Sequence, residues 1–431
     1  MKRTPIFLLI LFCVQSLLAQ DTIKTMFYNL LNFPSTQPSR VSHLDAILDD
    51  IQPDLFLVCE LENEQGGEFL FDNALQNVTN DYIMAPFVSN QSTGNQLQQL
   101  AFYNKNKLIL DNATTLQSDI VTTDLRDINR YSFILNTADA ATNPIYLEVF
   151  VTHLKAGNGA IDPNNAIRRE LEVQALMDYL NTNATTFSNR YILFAGDFNV
   201  YTSAEGAYQL ILDSMNNNSI DFIDPINRPG AWNNNSSFQD IHTQSAFSSN
   251  SHMLDENGDP DGAQGGMDDR FDFIMISDNL LGNAELEYVP NSYIAYGNNG
   301  NCFNDNVNDT NCTGTFSQTI RNHLFNFSDH LPVVMELQTD QQLLSVDEVG
   351  EVSTVRLSKG TIVGNTLSVS LTDNVSVYQL AIYNVLGQEM ERKLIQNQTN
   401  ADIDVSNLPS GVYYLKVVAS KGDITLKFIK Q

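Results

Sequence analysis

Basic residues are scarce in this chain. Lys and Arg number 23 against 51 Asp and Glu, for a formal charge of −28. Such a chain repels nucleic acid and anionic membrane at long range, so an anionic substrate needs positive charge supplied locally. No stretch interleaves basic and aromatic residues as a single-strand nucleic-acid track would. Cysteine is also rare, with four in 431 residues. Beyond the N-terminus no apolar run is long enough to cross a membrane as a helix. There is no internal repeat and no low-complexity tract.

The first residues, MKRTPIFLLILFCVQSLLAQ, place Lys2 and Arg3 before an apolar run from Ile6 to Val14. With Ala19-Gln20 as a cleavage point, residues 1–20 read as a secretory signal peptide, and Cys13 leaves with it. Cys59 lies in an apolar strand and is expected to be a buried thiol. Cys302 and Cys312 flank the loop NCFNDNVNDTNC. Export favours a disulfide between them. A metal site is the alternative, but no histidine stands nearby at zinc spacing.

From Asp21 to about residue 338, strands and helices alternate. TIKTMFYN, DLFLVCE, YIMAPFV, QLAFYN, IYLEVFVTHL, RYILFAGDFN, RFDFIMIS and VVMEL read as strands. PSRVSHLDAILDDI carries Val41, Leu44, Ile47, Leu48 and Ile51 at helical spacing. A second helix is predicted after Asp162-Pro163, and Thr202 with Glu205 forms a T-x-x-E capping box before AYQLIL. Strand-rich text with interspersed helices points to stacked sheets covered by helices. Residues 339–350 turn polar and read as a linker. Residues 351–431 contain only β signals, with Gly387 and Gly411 at turns, and predict a small all-β sandwich.

Polar residues close or open these apolar strands in a repeated way. Asn29, Glu60, His153, and Asp197 with Asn199 end four of them; Asp272 lies near the start of another, and Asp329-His330 precede the last. If the strand ends share one rim, its carboxylates repel unless a cation binds there. Hard oxygen donors select Mg2+, Mn2+ or Ca2+, and the chemistry implied is metal-assisted hydrolysis of a phosphoester. Each residue alone has a plainer reading as a solvated strand end or an Asx turn.

Taken in order, FYNLLNF, PDLFLVCE, THLKA, GDFN, DDRFDF and SDHLP resemble the endonuclease/exonuclease/phosphatase superfamily, the deoxyribonuclease I-like proteins. The resemblance covers most of residues 24–337. It implies an α/β fold, a four-layer α/β/β/α sandwich. It implies that Glu60 is the main metal carboxylate, with Asn29 and Asp329 near the ion, Mg2+ first and Mn2+ or Ca2+ as alternatives. Asp197 would act on the attacking water or the leaving group. Asn199 would hold the phosphate, Asp272 would fix the His330 tautomer, and His153 would be the second imidazole. Arg130 is the expected phosphate contact, with Arg126 behind it; a surface ion pair is the competing reading for both. Asn227, Arg228 and Trp232 occupy a loop that can face substrate. Some members carry an Asp two residues after the first Asn; Leu31 stands there, which favours one ion over two. Asp255–Gly262 reads D-x-N-x-D-x-D-G, but Pro260 and Gly266 stand where a calcium loop wants Gly and Glu.

The last segment, with AIYNVLGQEM, DVSNLPSGVYYLKV and KFIK, resembles the C-terminal sorting domain of type IX secretion. The combined expectation is a secreted or cell-surface monomer that hydrolyses phosphodiesters. DNA is the first substrate and RNA the second, and the type IX machinery is the export partner. A sphingomyelinase-like phospholipase C is the runner-up. A non-catalytic surface binding protein is the reading from another class.

Overall fold

The computed structural model describes residues 21–92, 97–116, 127–212, 220–344, 355–357, 362–371, 377–385, 387–396, 400–419 and 422–431. The signal-peptide segment, residues 345–350 of the linker and Arg126 lie outside the described residues. The chain divides into two compact units, Met1–Leu344 and Ser345–Gln431.

In the first unit, strands β1 (Asp21–Phe33), β2 (Leu55–Leu61), β3 (Tyr82–Met84) and β4 (Gln98–Asn104) begin one sheet. The next six, β5 (Leu108–Leu116), β6 (Ile128–Leu135), β7 (Tyr146–His153), β8 (Tyr191–Asp197), β9 (Phe222–Ile223) and β10 (Asp272–Ser277), form a second. The chain then returns to the first sheet with β11 (Glu287–Tyr288), β12 (Ile294–Ala295) and β13 (Val333–Thr339). The first sheet runs β11-β13-β1-β2-β4-β3 with β12 on β13, and the second β5-β6-β7-β8-β10-β9.

Side-chain alternation explains the layering. In β1, Ile23 and Phe27 point into a core shared with Leu147, Val149, Leu193 and Ile274 of the second sheet. Met26 and Tyr28 point the other way, onto Leu44, Ile47 and Leu48 of the helix Val41–Ile51 and Leu324 of the helix Gln318–Phe325. On the far side, Phe150, Phe194 and Phe273 meet Val173, Leu176 and Met177 of the helix Pro163–Thr182. Strands buried on both faces read as nearly unbroken apolar runs, as LFLVCEL and YILFAGD do. The result is the α/β/β/α sandwich that the resemblance implies.

Several local expectations meet a different outcome. The strand predicted over YIMAPFV stops at Met84, just before Pro86, which has no N–H to give a ladder. Glu205 reaches back to the Tyr201 N–H (2.9 Å) rather than to Thr202, and its other oxygen takes the guanidinium of the buried Arg169. Residues 339–344 belong to the first unit. Leu343 is buried in the inter-sheet core and its N–H donates to the Asp21 carboxylate at 2.8 Å.

The second unit is all β. A three-stranded sheet (Val355–Leu357, Thr366–Leu371, Asn400–Asp404) and a five-stranded sheet enclose Leu367, Val369, Leu380, Ile403, Leu415 and Phe428. Gly387 has φ +76° in a turn, as expected, whereas Gly411 opens the strand Gly411–Ala419.

Candidate active site

Strand direction brings the polar ends together. β1 and β2 are parallel, as are β7 and β8, so Asn29, Glu60, His153 and Asp197 leave their strands on one side. β10 and β13 run antiparallel to their neighbours, so Asp272 and the Asp329-His330 pair reach the same side from strand starts. His153 and Asp272 flank Asp197 in register. Glu60 (φ +55°) and Asn199 (φ +52°) hold left-handed backbone, a conformation non-glycine residues adopt mainly where surroundings impose it. At Glu60 this coincides with a register shift of β2, which turns its carboxylate into the rim.

The side chains form one network. Asn29 Nδ2 donates to Glu60 Oε1 (3.0 Å) and Asp197 Oδ2 (3.1 Å), while its Oδ1 accepts from the Leu31 N–H (3.0 Å). His153 lies 3.4 Å from Asp197 and 3.7 Å from Glu60. Asp197 Oδ1 accepts from the Asn199 N–H, and Asn199 Nδ2 donates to the Leu154 carbonyl. His330 Nδ1 meets Asp272 Oδ2 at 2.7 Å, the geometry that fixes an imidazole tautomer. Asp329 Oδ2 accepts from the Ala263 N–H at 2.7 Å. Except for Glu60, every residue predicted on this rim is buried.

Burial sets the electrostatics. It pushes the Asp197 carboxyl up to about 8, with Asp272 and Glu60 adding repulsion and His330 opposing. Burial likewise pushes Asp329 to about 6, with Glu60 adding to it. For His330, burial favours the neutral ring, but Asp272, Asp329 and Asp197 outweigh it and hold its pKa well above the ordinary value. The donor set suits a divalent cation: ligand atoms of Glu60, His153 and Asp197 all lie within 4.8 Å of one another. The Asn29 amide bridges two of these groups, and the crowded carboxylates are the repulsion a cation relieves.

A stability test follows from these shifts. A carboxyl whose folded pKa is raised contributes most below its unfolded value and loses that contribution as pH climbs through the folded one. The imidazole of His330 acts in the same sense. The melting temperature in EDTA is therefore expected to fall as pH rises from about 4 to about 8. Added Mg2+ should raise it more at the upper end, where the carboxylates are charged. Scanning calorimetry at both pH values checks this, and an equal Mg2+ effect at both would remove the cation from this cluster.

Arg130 is not at the rim. It shares the helix-covered face of β6 with Ile128, pairs with Glu148 (2.8 Å), donates to the Tyr179 hydroxyl (3.1 Å) and stacks over Phe187. Trp232 is fully buried against Tyr208 and Phe273, its indole N–H donating to the Arg228 carbonyl, and Arg228 pairs with Asp240. Arg130 and Trp232 are thus held in packing beneath the surface rather than at the rim. In the Asp255–Gly262 loop, Asp255 accepts from its own loop's N–H groups and Asp261 from Asn32 and Thr36, so both carboxylates are engaged internally. Cys302 and Cys312 are disulfide-bonded, and Cys59 is a buried free thiol.

Two residues of the site carried no sequence signal. Gln244, in an irregular loop, places its amide nitrogen 2.6 Å from His330 Nε2. Arg40 lies buried behind the rim, donating to the carbonyls of Thr36 (2.6 Å), Leu30 (2.6 Å), Leu31 (2.5 Å) and Phe327, between the rings of Phe33 and Phe327. It ties the segment after Asn29 to the segment before Asp329. A single basic residue ahead of an apolar helix was its only trace in the sequence.

Among solved structures, the human Nocturnin catalytic domain with bound sulfate is similar at 16% identity, over 74% of this chain and 98% of that one, with TM-score 0.45. An endonuclease/exonuclease/phosphatase family protein from Bacteroides thetaiotaomicron is similar at 14% identity, over 74% and 96%, with TM-score 0.45. D. rerio TDP2 complexed with single-strand DNA product is similar at 11% identity, over 74% and 99%, with TM-score 0.45. No curated protein gives a significant match. Among the described residues no helix is long and apolar enough to cross a membrane. Residues 363–431 match the family model described as the secretion system C-terminal sorting domain, so the chain carries a secretion sorting domain in its all-β unit.

Proposed function

We propose that the protein is an exported, divalent-metal-dependent phosphodiesterase, an endonuclease whose first substrate is DNA and whose second is RNA. The observation that supports this best is the group of half-buried Glu60 with buried His153 and Asp197, together with buried Asp329, beside an Asp272-His330 pair. Glu60, with Asn29 and Asp329, would hold Mg2+, or Mn2+ or Ca2+ in its place. The ion would stabilise charge on the phosphoryl oxygens.

The chain's own groups divide the remaining work. Asp197 lies on the rim between Asn29 and His153, where its carboxylate, favoured by a neighbouring cation, would orient and deprotonate a water. The imidazolium of His330, held by Asp272, supplies the local positive charge that an acidic chain otherwise withholds from an anionic substrate. His153 is a second donor on the opposite side of Asp197. Asn199 positions Asp197 through its backbone N–H and offers an amide toward the phosphate. The sorting domain supports export through the type IX machinery, as a released or cell-surface protein.

A second reading is a phospholipase C acting on sphingomyelin. It is favoured by Ile161, 86% exposed in the segment that follows His153, and by the exposed Ile167 and Leu171 on the helix after it. Incubation with supercoiled plasmid separates the two. Nicking in Mg2+ that EDTA abolishes is the expected result. Intact plasmid from folded, metal-binding protein, with release of phosphocholine from sphingomyelin, would overturn the nuclease in favour of the lipase.

A further inference from the structure

We propose that Gln244 is a substrate-contacting residue of this site: its carboxamide caps the Nε2 face of His330, yields that face to one phosphoryl oxygen and donates its own N–H to another. The inference rests on the phosphoesterase reading and adds to it a residue outside the strand-end set.

Three observations carry it. First, Nε2 is the only face of the His330 ring left to a substrate, because Asp272 holds Nδ1 at 2.7 Å. Around Nε2 stand Gln244 Nε2 at 2.6 Å, Asn29 Nδ2 at 3.3 Å and Asp197 Oδ2 at 3.7 Å. Both hydrogens of the Asn29 amide are directed at Glu60 and Asp197, and its oxygen holds the Leu31 N–H. That leaves Gln244 as the hydrogen-bond partner of Nε2 among the described residues.

Second, Gln244 covers Nε2 and is itself reached by solvent. His330 and Asp272 are buried, whereas Gln244 is half-buried. A phosphoryl group approaching Nε2 must displace the carboxamide or share the imidazole with it. The carboxamide makes no other hydrogen bond among the described residues, so turning it aside breaks one bond only.

Third, the backbone of Gln244 is pinned while its side chain is not. Its N–H donates to the Asp269 carbonyl (3.0 Å), and its own carbonyl accepts from the N–H groups of Asp268 (2.9 Å) and Asp269 (2.8 Å). Motion is thus confined to side-chain torsions, which keep the amide within reach of the rim. An amide suits the position because either end can face the imidazole: its N–H faces the Nε2 lone pair of the neutral ring, and with the carboxamide turned over its C=O accepts from the Nε2–H of the imidazolium. A carboxylate there would add negative charge to a rim already bearing Glu60, Asp197, Asp272 and Asp329, and would repel a phosphate.

Two variants test the assignment in the full chain with Mg2+: Gln244→Met, close in length but without donor or acceptor, and Gln244→Glu, isosteric but charged. The probes are inorganic phosphate, followed by 31P NMR titration, and bis(p-nitrophenyl) phosphate for turnover. Gln244→Met is expected to weaken phosphate binding about tenfold and to raise KM more than it lowers kcat, the scale of one hydrogen bond to a charged group. Gln244→Glu should lose more of both, with the melting temperature of each variant unchanged. Phosphate binding and KM within twofold of the parent in Gln244→Met, or tolerance of Gln244→Glu, would overturn the assignment while leaving the phosphoesterase reading intact. A parent protein that neither binds phosphate nor cleaves the diester would overturn both together.

Discussion

His330→Ala is expected to lower kcat by about 10²–10⁴-fold, the range associated with a positioned acid–base group. The imidazole stands within the cluster of buried carboxylates, which outweigh burial and favour its charged form, and Asp272 holds it there at 2.7 Å. Removing it takes away the charge that faces a phosphate. It also leaves Asp272 buried without the ring; Oδ1 of that carboxylate already has no hydrogen-bond partner. Some loss of stability therefore accompanies the loss of turnover. Circular dichroism and a melting curve separate the two effects, since a folded variant with normal turnover would end the active-site assignment. Asp272→Asn provides the companion measurement: it keeps the volume, breaks the charge pairing and should fall between parent and His330→Ala.

Arg40→Met is expected to produce the largest loss of stability, about 3–5 kcal/mol, the scale of removing a buried charged partner from groups that cannot rehydrate. For a unit of this size that corresponds to a drop of roughly 4–7 °C in melting temperature. Burial pulls the guanidinium down only to about 10, so it stays charged at neutral pH. Among the described residues its hydrogen bonds go to four backbone carbonyls rather than to a carboxylate, and two aromatic rings stack on it. Methionine fills much of the volume and satisfies none of the carbonyls. Because those carbonyls belong to the segments bearing Asn29 and Asp329, the Mg2+ concentration for half-maximal activity should rise as well. Thermal unfolding and a Mg2+ titration are the measurements; a variant as stable as the parent would mean that water reaches the four carbonyls.

The rim was legible in the sequence because both sheets are buried on both faces. Their strands read as apolar runs, and an Asn, Glu, His or Asp closing such a run stands out. Strand polarity, inferred only through the family resemblance, decided that the closings meet. Where the reading failed, the cause was a choice between two buried faces. Arg130 alternates with residues facing the inter-sheet core and shares its face with Ile128, beneath a helix, where Glu148 and Tyr179 supply its partners. Nothing in a period of two says which face is which. Trp232 looked like a loop residue offered to substrate, but its indole fills the space between Tyr208 and Phe273. Gln244 lies in irregular backbone, and Arg40 closes the single 3-10 turn Pro38–Arg40 ahead of the helix Val41–Ile51; no periodicity marks either residue, and their importance comes from what folds against them.

β13 has a consequence for when the protein acquires activity. Residues 333–339 insert between β1 and β11, pairing with residues 21–27 at the other end of the unit. The dipeptide Asp329-His330 arrives with that strand. Contacts so distant in sequence form late and slowly. A chain that has not yet placed this strand therefore lacks one partner of β1 in its first sheet and two residues of its rim. Under the proposed function, the chain gains activity only once residues 333–339 have paired with residues 21–27 and brought Asp329 and His330 to the rim.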